Sequence, residues 1–169
     1  LLSAATYVVG RFVQIPIPAV NGYVTLLDAG IFTVALTFGK KEGAIVGGLA
    51  AFLADLTSGF PQWMFFSLLI HGFQGYFGAL TKKIWLNYLL SALTMVGGYF
   101  LATWVLYGFV AAINPLTNIP NLIQTTLGYV LGLSLIHIPE PTRQAEDSDA
   151  VVCFEKKIKA LKAAVTFRF

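Results

Sequence analysis

Charge is what this chain has least of. Only 11% of its 169 residues are charged and 57% are hydrophobic, whereas soluble domains carry about 25% charged residues. Such a chain cannot clothe itself in ionic surface, and its mean hydropathy of +0.75 points to a surface that faces lipid. The shortage is uneven. From Leu1 to Leu133 the only charges are Arg11, Lys40, Lys41, Lys82, Lys83, Asp28, Glu42 and Asp55, while Ser134 to Phe169 holds six basic and five acidic residues. The net charge of +3 therefore averages two regimes and does not indicate a nucleic-acid partner.

Cysteine is nearly missing. Cys153 is alone and lies in the charged segment, which excludes a disulfide framework and a thiolate metal site. Two histidines, one of them (His137) in that same segment, do not make a metal centre, so no metal and no cofactor is expected. No G-x-S-x-G, H-E-x-x-H or G-x-x-x-x-G-K-[ST] occurs, so the usual enzyme signatures are absent and ATP-driven work falls to a partner. The chain begins inside an apolar run without a basic n-region or a small-residue cleavage site. That fits a truncated first membrane helix better than a signal peptide.

What is present is apolar sequence in six segments: Leu1–Val13, Tyr23–Gly39, Gly43–Phe60, Gln62–Leu80, Ile84–Ile113, and one from about Ile119 to Ile138. A spanning helix needs roughly 20 residues, and only the first segment falls short. The fifth is long enough to require tilt, a bend near Gly97–Gly98, or extension past the bilayer. Lys40–Lys41 and Lys82–Lys83 follow the second and fourth segments, whereas the loops after the first, third and fifth carry no Lys or Arg. Basic short loops stay in the cytoplasm. The expectation is an all-α membrane protein of six transmembrane helices with both termini inside, Arg11 being the one cation toward the outside.

Lipid gives no hydrophobic drive for helix association, so small residues matter. The third segment, GAIVGGLAAFLADLTSG, repeats them at four-residue spacing: Gly43, Gly47, Ala51 and Ala44, Gly48. This face suits packing within the chain or docking of another membrane subunit. Polar residues inside a membrane need partners or a cavity. Here they gather toward the outer half: Asn21, Tyr23, Thr25, Gln62, Trp63, His71 and Gln74 (three apart on one helix face), Asn121 and Gln124, with Asp28 and Asp55 near helix ends. Amides, rings and one imidazole suit a pocket for a small, neutral, ring-containing solute. The plainer reading of each stays open: Asp28 capping a helix or pairing with Arg11, His71 bonded to a neighbour, Trp63 and Trp104 at the interface.

IPIPAVNGYVTLLDAGIF, GAIVGGLAAFLADLTSGFPQWMFFSLLIHGFQG and NIPNLIQTTLGYVLG resemble the substrate-binding S components of energy-coupling factor (ECF) vitamin transporters, in the riboflavin-type group that includes hydroxymethylpyrimidine and pyridoxine subunits. The G-Y-V-x-L-x-D-A block from Gly22 and the blocks at Leu53–Asp55 and Pro61–Trp63 carry the likeness, which spans about Leu1–Leu133. The resemblance implies a multi-pass bacterial cell-membrane subunit that captures a vitamin from outside and topples in the bilayer, carried by a transmembrane T component and two ATPases. It implies docking through small residues of helices 1 and 3, here Ala4, Ala5, Ala44, Gly47, Gly48 and Ala51. The vitamin site expected from the polar cluster comprises Asn21, Tyr23, Gln62, Trp63, His71, Gln74, Asn121 and Gln124, with Arg11, Asp28 and Asp55 holding loops and helix ends. A stand-alone channel or facilitator, and an intramembrane enzyme using Asp55 and His71 as an acid–base pair, are the alternatives.

The last segment reads differently. SLIHIPEPTRQAED resembles a translated transposon mosaic-end adaptor from a sequencing library, so the biological sequence is expected to end near Ser134, with 139–169 non-native. The alternative is a disordered or short amphipathic tail through FEKKIKALKAAV.

Overall fold

The computed structural model describes residues 1–17 and 22–137, and its described body is Leu1–His137. The expected tail, 139–169, and Asn21 lie outside the described residues. Each of the six apolar segments carries one long helix: α1 (Leu2–Phe12), α2 (Leu27–Phe38), α3 (Lys40–Thr57), α4 (Met64–Gly78), α5 (Ile84–Tyr107) and α7 (Pro115–Ile136), and the fifth segment also holds a single turn, α6 (Phe109–Ala112). Ser134–Ile136 forms the final turn of α7. Two helices, α5 with 24 residues and α7 with 22, are long and apolar enough by themselves to cross a membrane.

Three local features depart from the expectation. The second segment does not enter its helix at Tyr23. Gly22–Thr25 (β2) pairs antiparallel with Gln14–Ile17 (β1), in a register that sets Gln14 opposite Thr25 and Ile17 opposite Gly22. Tyr-Val-Thr is strand-forming sequence, and the hairpin delays α2 to Leu27. The fifth segment stays helical through Gly97–Gly98 and stops at Tyr107, where Gly108 takes φ +87°, a value costly for a residue with a Cβ. The sixth helix starts early: Asn114 Oδ1 accepts from the Leu116 amide at 3.0 Å, and Pro115 occupies the first position, where its missing N–H costs nothing.

The helices pack through small residues. A Cβ on Gly47 would strike the His71 carbonyl, one on Gly48 would lie 2.9 Å from the Leu68 carbonyl, and one on Gly75 would strike the Gly43 carbonyl, so α3 and α4 run antiparallel at backbone contact. A Cβ on Gly128 would meet Asp28, and one on Gly132 would lie 2.9 Å from Phe32 Cβ, which sets α7 parallel to α2. Such approach suits helices that gain little from burying apolar surface.

Polarity is inverted relative to a soluble bundle. Asp28, Gln74, Ser91 and Thr125 are fully buried, while Leu49, Leu69, Leu93, Leu127 and Val130 face outward. An exterior this apolar needs a hydrocarbon solvent. The antiparallel run of α3, α4 and α5 puts Lys40, Lys41, Lys82 and Lys83 at one end of the bundle. The hairpin, the end of α3 and the starts of α4 and α7 lie at the other.

Candidate functional site

At the hairpin end the helices line an open-mouthed cavity whose empty space, solvent at the mouth included, is about 660 Å³. Each wall has a local cause. The hairpin brings Tyr23 and Thr25 inward, the last turns of α3 bring Ala54 and Asp55, and α4 brings Trp63, Ser67 and His71 from one face at four-residue spacing. From α5 come Met95, Tyr99 and Thr103, again four apart, and from α7 Thr117, Asn121 and Gln124. Trp63 and Tyr99 form an aromatic wall, their ring centroids 5.8 Å apart and tilted by 56°.

Behind the cavity lies a polar network centred on Asp28. Its Oδ2 accepts from Gln74 Nε2 at 2.7 Å, its Oδ1 accepts from Gln124 Nε2 at 3.0 Å, and Thr125 Oγ1 stands 3.4 Å from Oδ2. His71 Nδ1 lies 2.8 Å from Gln74 Oε1 and 3.4 Å from Asp28 Oδ1. On its other side His71 Nε2 lies 3.2 Å from the Tyr99 hydroxyl, which is 2.6 Å from Ser67 Oγ. Gln124 Oε1 accepts from the Thr25 amide at 2.9 Å, tying the hairpin to the network. A buried carboxylate is tolerated when donors surround it, and here α4 and α7 supply them to a carboxylate carried by α2.

A second carboxylate faces the hairpin. Tyr23 donates to Asp55 Oδ1 at 2.6 Å. Burial first, and the Asp55 charge second, push the Tyr23 phenol well above its ordinary value, so it stays protonated and donating. Asp55 Oδ2 is buried and has no hydrogen-bond partner among the described residues; the same is true of Thr103 Oγ1.

Of the residues expected at the site, Tyr23, Trp63, His71, Asn121 and Gln124 line the cavity. Asn121 also donates to the Thr117 carbonyl at 2.9 Å. Gln62 does not line it: the residue is exposed on the turn before α4, because the helix phase that buries Trp63 turns its neighbour outward. Gln74 is one turn too deep; it is wholly buried and holds Asp28 and His71 instead. Arg11 is exposed and donates to Gln14 Oε1 at 2.9 Å rather than pairing with Asp28, which lies at the centre of the bundle and not at its rim. Asp55 and His71 are each bonded to other groups, so no acid–base pair forms between them. Among the described residues no group of three His, Cys, Asp or Glu side chains could hold a metal ion. Sequence reasoning missed Ser67, Tyr99 and Thr103. The four-residue spacing of Ser67 with Trp63 and His71, and of Tyr99 with Met95 and Thr103, is the signal that could have found them.

Of the small residues expected to dock a partner, Gly47, Gly48 and Ala51 are buried inside the chain and Ala44 is half-buried, while Ala4 and Ala5 are exposed on α1.

Comparison with known proteins gives three matches. The family model described as "ECF-type riboflavin transporter, S component" matches residues 1–140. The thiamine precursor transporter HmpT of Lactococcus lactis subsp. cremoris is 51% identical over 141 residues, covering 83% of this chain and 84% of that protein. An "uncharacterized protein in gap 3'region" of Pyrococcus woesei is 35% identical over 141 residues, covering 79% of this chain and 93% of that protein.

Proposed function

The chain belongs to the family of ECF-type riboflavin transporter S components, and from that premise we propose that it captures a thiamine precursor of the hydroxymethylpyrimidine type in the cavity at its hairpin end. Its family is one of transporter components and not of enzymes. The substrate follows from the relative's name together with a cavity whose walls combine rings (Trp63, Tyr99) with amides (Asn121, Gln124). Rings hold a planar solute by its faces, and amides fix its edge.

The orientation proposed is six spans with both termini in the cytoplasm of a bacterial cell. Lys40, Lys41, Lys82 and Lys83 sit at the end away from the cavity, so basic loops inside place the mouth outside. The hairpin borders the mouth of the proposed site, held to its rim by the Gln124–Thr25 and Asp55–Tyr23 bonds. Delivery requires a T component and two ATPases, since the sequence has no nucleotide-binding motif. The exposed small face of α1, Ala4 and Ala5 beside Val8 and Val9, is the surface that docks on the T component, and toppling is helped by an outer surface with few charges.

The observation that carries this reading is the cavity lined by rings and amides, in a chain 51% identical to a thiamine precursor transporter. The test is calorimetric titration of the purified chain in detergent with a panel of B vitamins and their precursors. Tight, stoichiometric binding of one of them without chemical turnover is expected. Binding of none would overturn the proposal.

A further inference from the structure

The cavity contains an acceptor that has no hydrogen-bond partner among the described residues. Asp55 is 5% exposed, lines the cavity from the end of α3, and has one oxygen engaged by Tyr23. Its Oδ2 has no partner among the described residues. On the neighbouring wall His71 is bonded to Gln74, the Gln124 amide to Asp28, and the Ser67 hydroxyl, the one group there that also reaches toward Asp55, stands 2.6 Å from the Tyr99 hydroxyl. Buried polar atoms are nearly always paired, and an unpaired carboxylate oxygen is among the costliest exceptions. On α5, Thr103 Oγ1 lines the same cavity and is likewise unpaired among the described residues.

We infer that Asp55 selects the captured ring by its hydrogen-bond pattern, accepting from an exocyclic amino group, so that an amino-substituted azine is bound and its oxo counterpart is rejected. The inference rests on the reading of this cavity as the vitamin site. A carboxylate can only accept. An exocyclic amine, or an amine beside a protonated ring nitrogen, supplies the missing donor, and the bond is charge-assisted. A carbonyl at the same edge would set two acceptors face to face in a dry site, with the carboxylate left unpaired. Thr103, whose hydroxyl both donates and accepts, is placed to bond a second ring substituent. The same rule disfavours a flavin-type dione edge, in which carbonyls flank the only N–H, despite the riboflavin label of the family.

The experiment is calorimetric titration of the purified full chain with 4-amino-5-hydroxymethyl-2-methylpyrimidine and with its 4-oxo counterpart, for the wild type and for Asp55→Asn. The asparagine keeps an oxygen for Tyr23 and replaces the other by an N–H₂ donor. The wild type is expected to prefer the amino ring by at least about 100-fold, since a site built for a donor leaves polar groups unpaired with the wrong ring. Asp55→Asn is expected to erase or invert that ratio, with amino-ring affinity down by about 30-fold, while its thermal midpoint shows it folded. Equal wild-type affinity for both rings overturns the inference, as does a folded Asp55→Asn that keeps the wild-type ratio. If the variant does not fold, the wild-type ratio decides alone. Binding of neither ring but of another B vitamin overturns the inference and leaves the vitamin-binding reading standing; binding of no vitamin overturns that reading itself.

Discussion

Asp28 on α2 and Gln124 on α7 stand 96 residues apart in the sequence, yet Gln124 Nε2 donates to Asp28 Oδ1 at 3.0 Å. The other face of the same carboxamide accepts from the Thr25 amide in the hairpin. One buried side chain thus links the centre of the bundle to the mouth of the cavity. Asp28→Ala removes the acceptor, takes the Asp28 partner from the Gln124 amide N–H, and leaves the Gln74 amide N–H with Thr125 Oγ1. The expected loss is about 3–5 kcal/mol of stability, the usual result of deleting one member of a buried polar set, read as a lowered thermal midpoint in detergent. Ligand affinity falls with it, because Gln124 and His71 line the cavity from positions this carboxylate holds.

Adjacent residues at the start of α4 should behave oppositely. Trp63 is buried in the cavity wall and Gln62 is exposed beside it. Trp63→Ala should cost at least about 2 kcal/mol of binding, or about 30-fold in Kd, as buried aromatic anchors do. Gln62→Ala should leave the titration unchanged within experimental scatter. A large loss for Gln62→Ala would mean that the turn before α4 closes onto the ligand.

Tyr23→Phe keeps the ring and removes the hydroxyl that donates to Asp55 Oδ1, the carboxylate oxygen that is hydrogen-bonded among the described residues. Affinity should fall by about tenfold, the worth of one hydrogen bond to a charged group. Because burial raises the phenol above its ordinary 10.0, the folded chain holds this proton more tightly than the unfolded one. Its contribution is intact below pH 10 and declines as pH rises beyond it. Binding followed from pH 6 to about pH 9 should therefore show no loss assignable to Tyr23.

Gly47 tests the packing of α3 on α4. A side chain there meets the His71 carbonyl, so Gly47→Val should lower stability by about 1–3 kcal/mol or more, as overpacking does. It should also disturb binding, because His71 is the residue displaced. The thermal midpoint and the ligand titration together check both effects.

The α1 surface makes the converse prediction. Ala5 is exposed and makes no part of the cavity. Ala5→Trp should leave vitamin affinity unchanged and abolish recovery of the ATPase subunits when the tagged chain is purified from its native host. Retained recovery would place the docking surface elsewhere.

Much of the site was legible before the fold. Trp63, His71, Asn121 and Gln124 stand out because polar and indole groups are rare in apolar segments and have to be accounted for. The same reasoning could not separate lining from support. His71 and Gln74 share a helix face, and only the position of the cavity along α4 makes one a wall and the other a brace. Nor could it foresee the hairpin: Tyr23-Val24-Thr25 is as apolar as a helix start, and what makes it a strand is Gln14–Ile17 lying alongside.

The sequence by itself determined the solvent and the segments: scarce charge over Leu1–Leu133 requires lipid, and six apolar runs with paired lysines between them become helices whose basic ends share one side. It also held the family likeness, which the match over residues 1–140 bears out. The tertiary structure alone decided which small residues face inward, that Asp28 is a hub and not a cap, and that Asp55 keeps an oxygen in the cavity without a partner among the described residues. The reason is range. Hydropathy and helical spacing act over a few residues, whereas the partners of a buried polar group, such as Asp28 with Gln74 and Gln124, come from positions 46 and 96 residues away. They become neighbours only once the helices have packed.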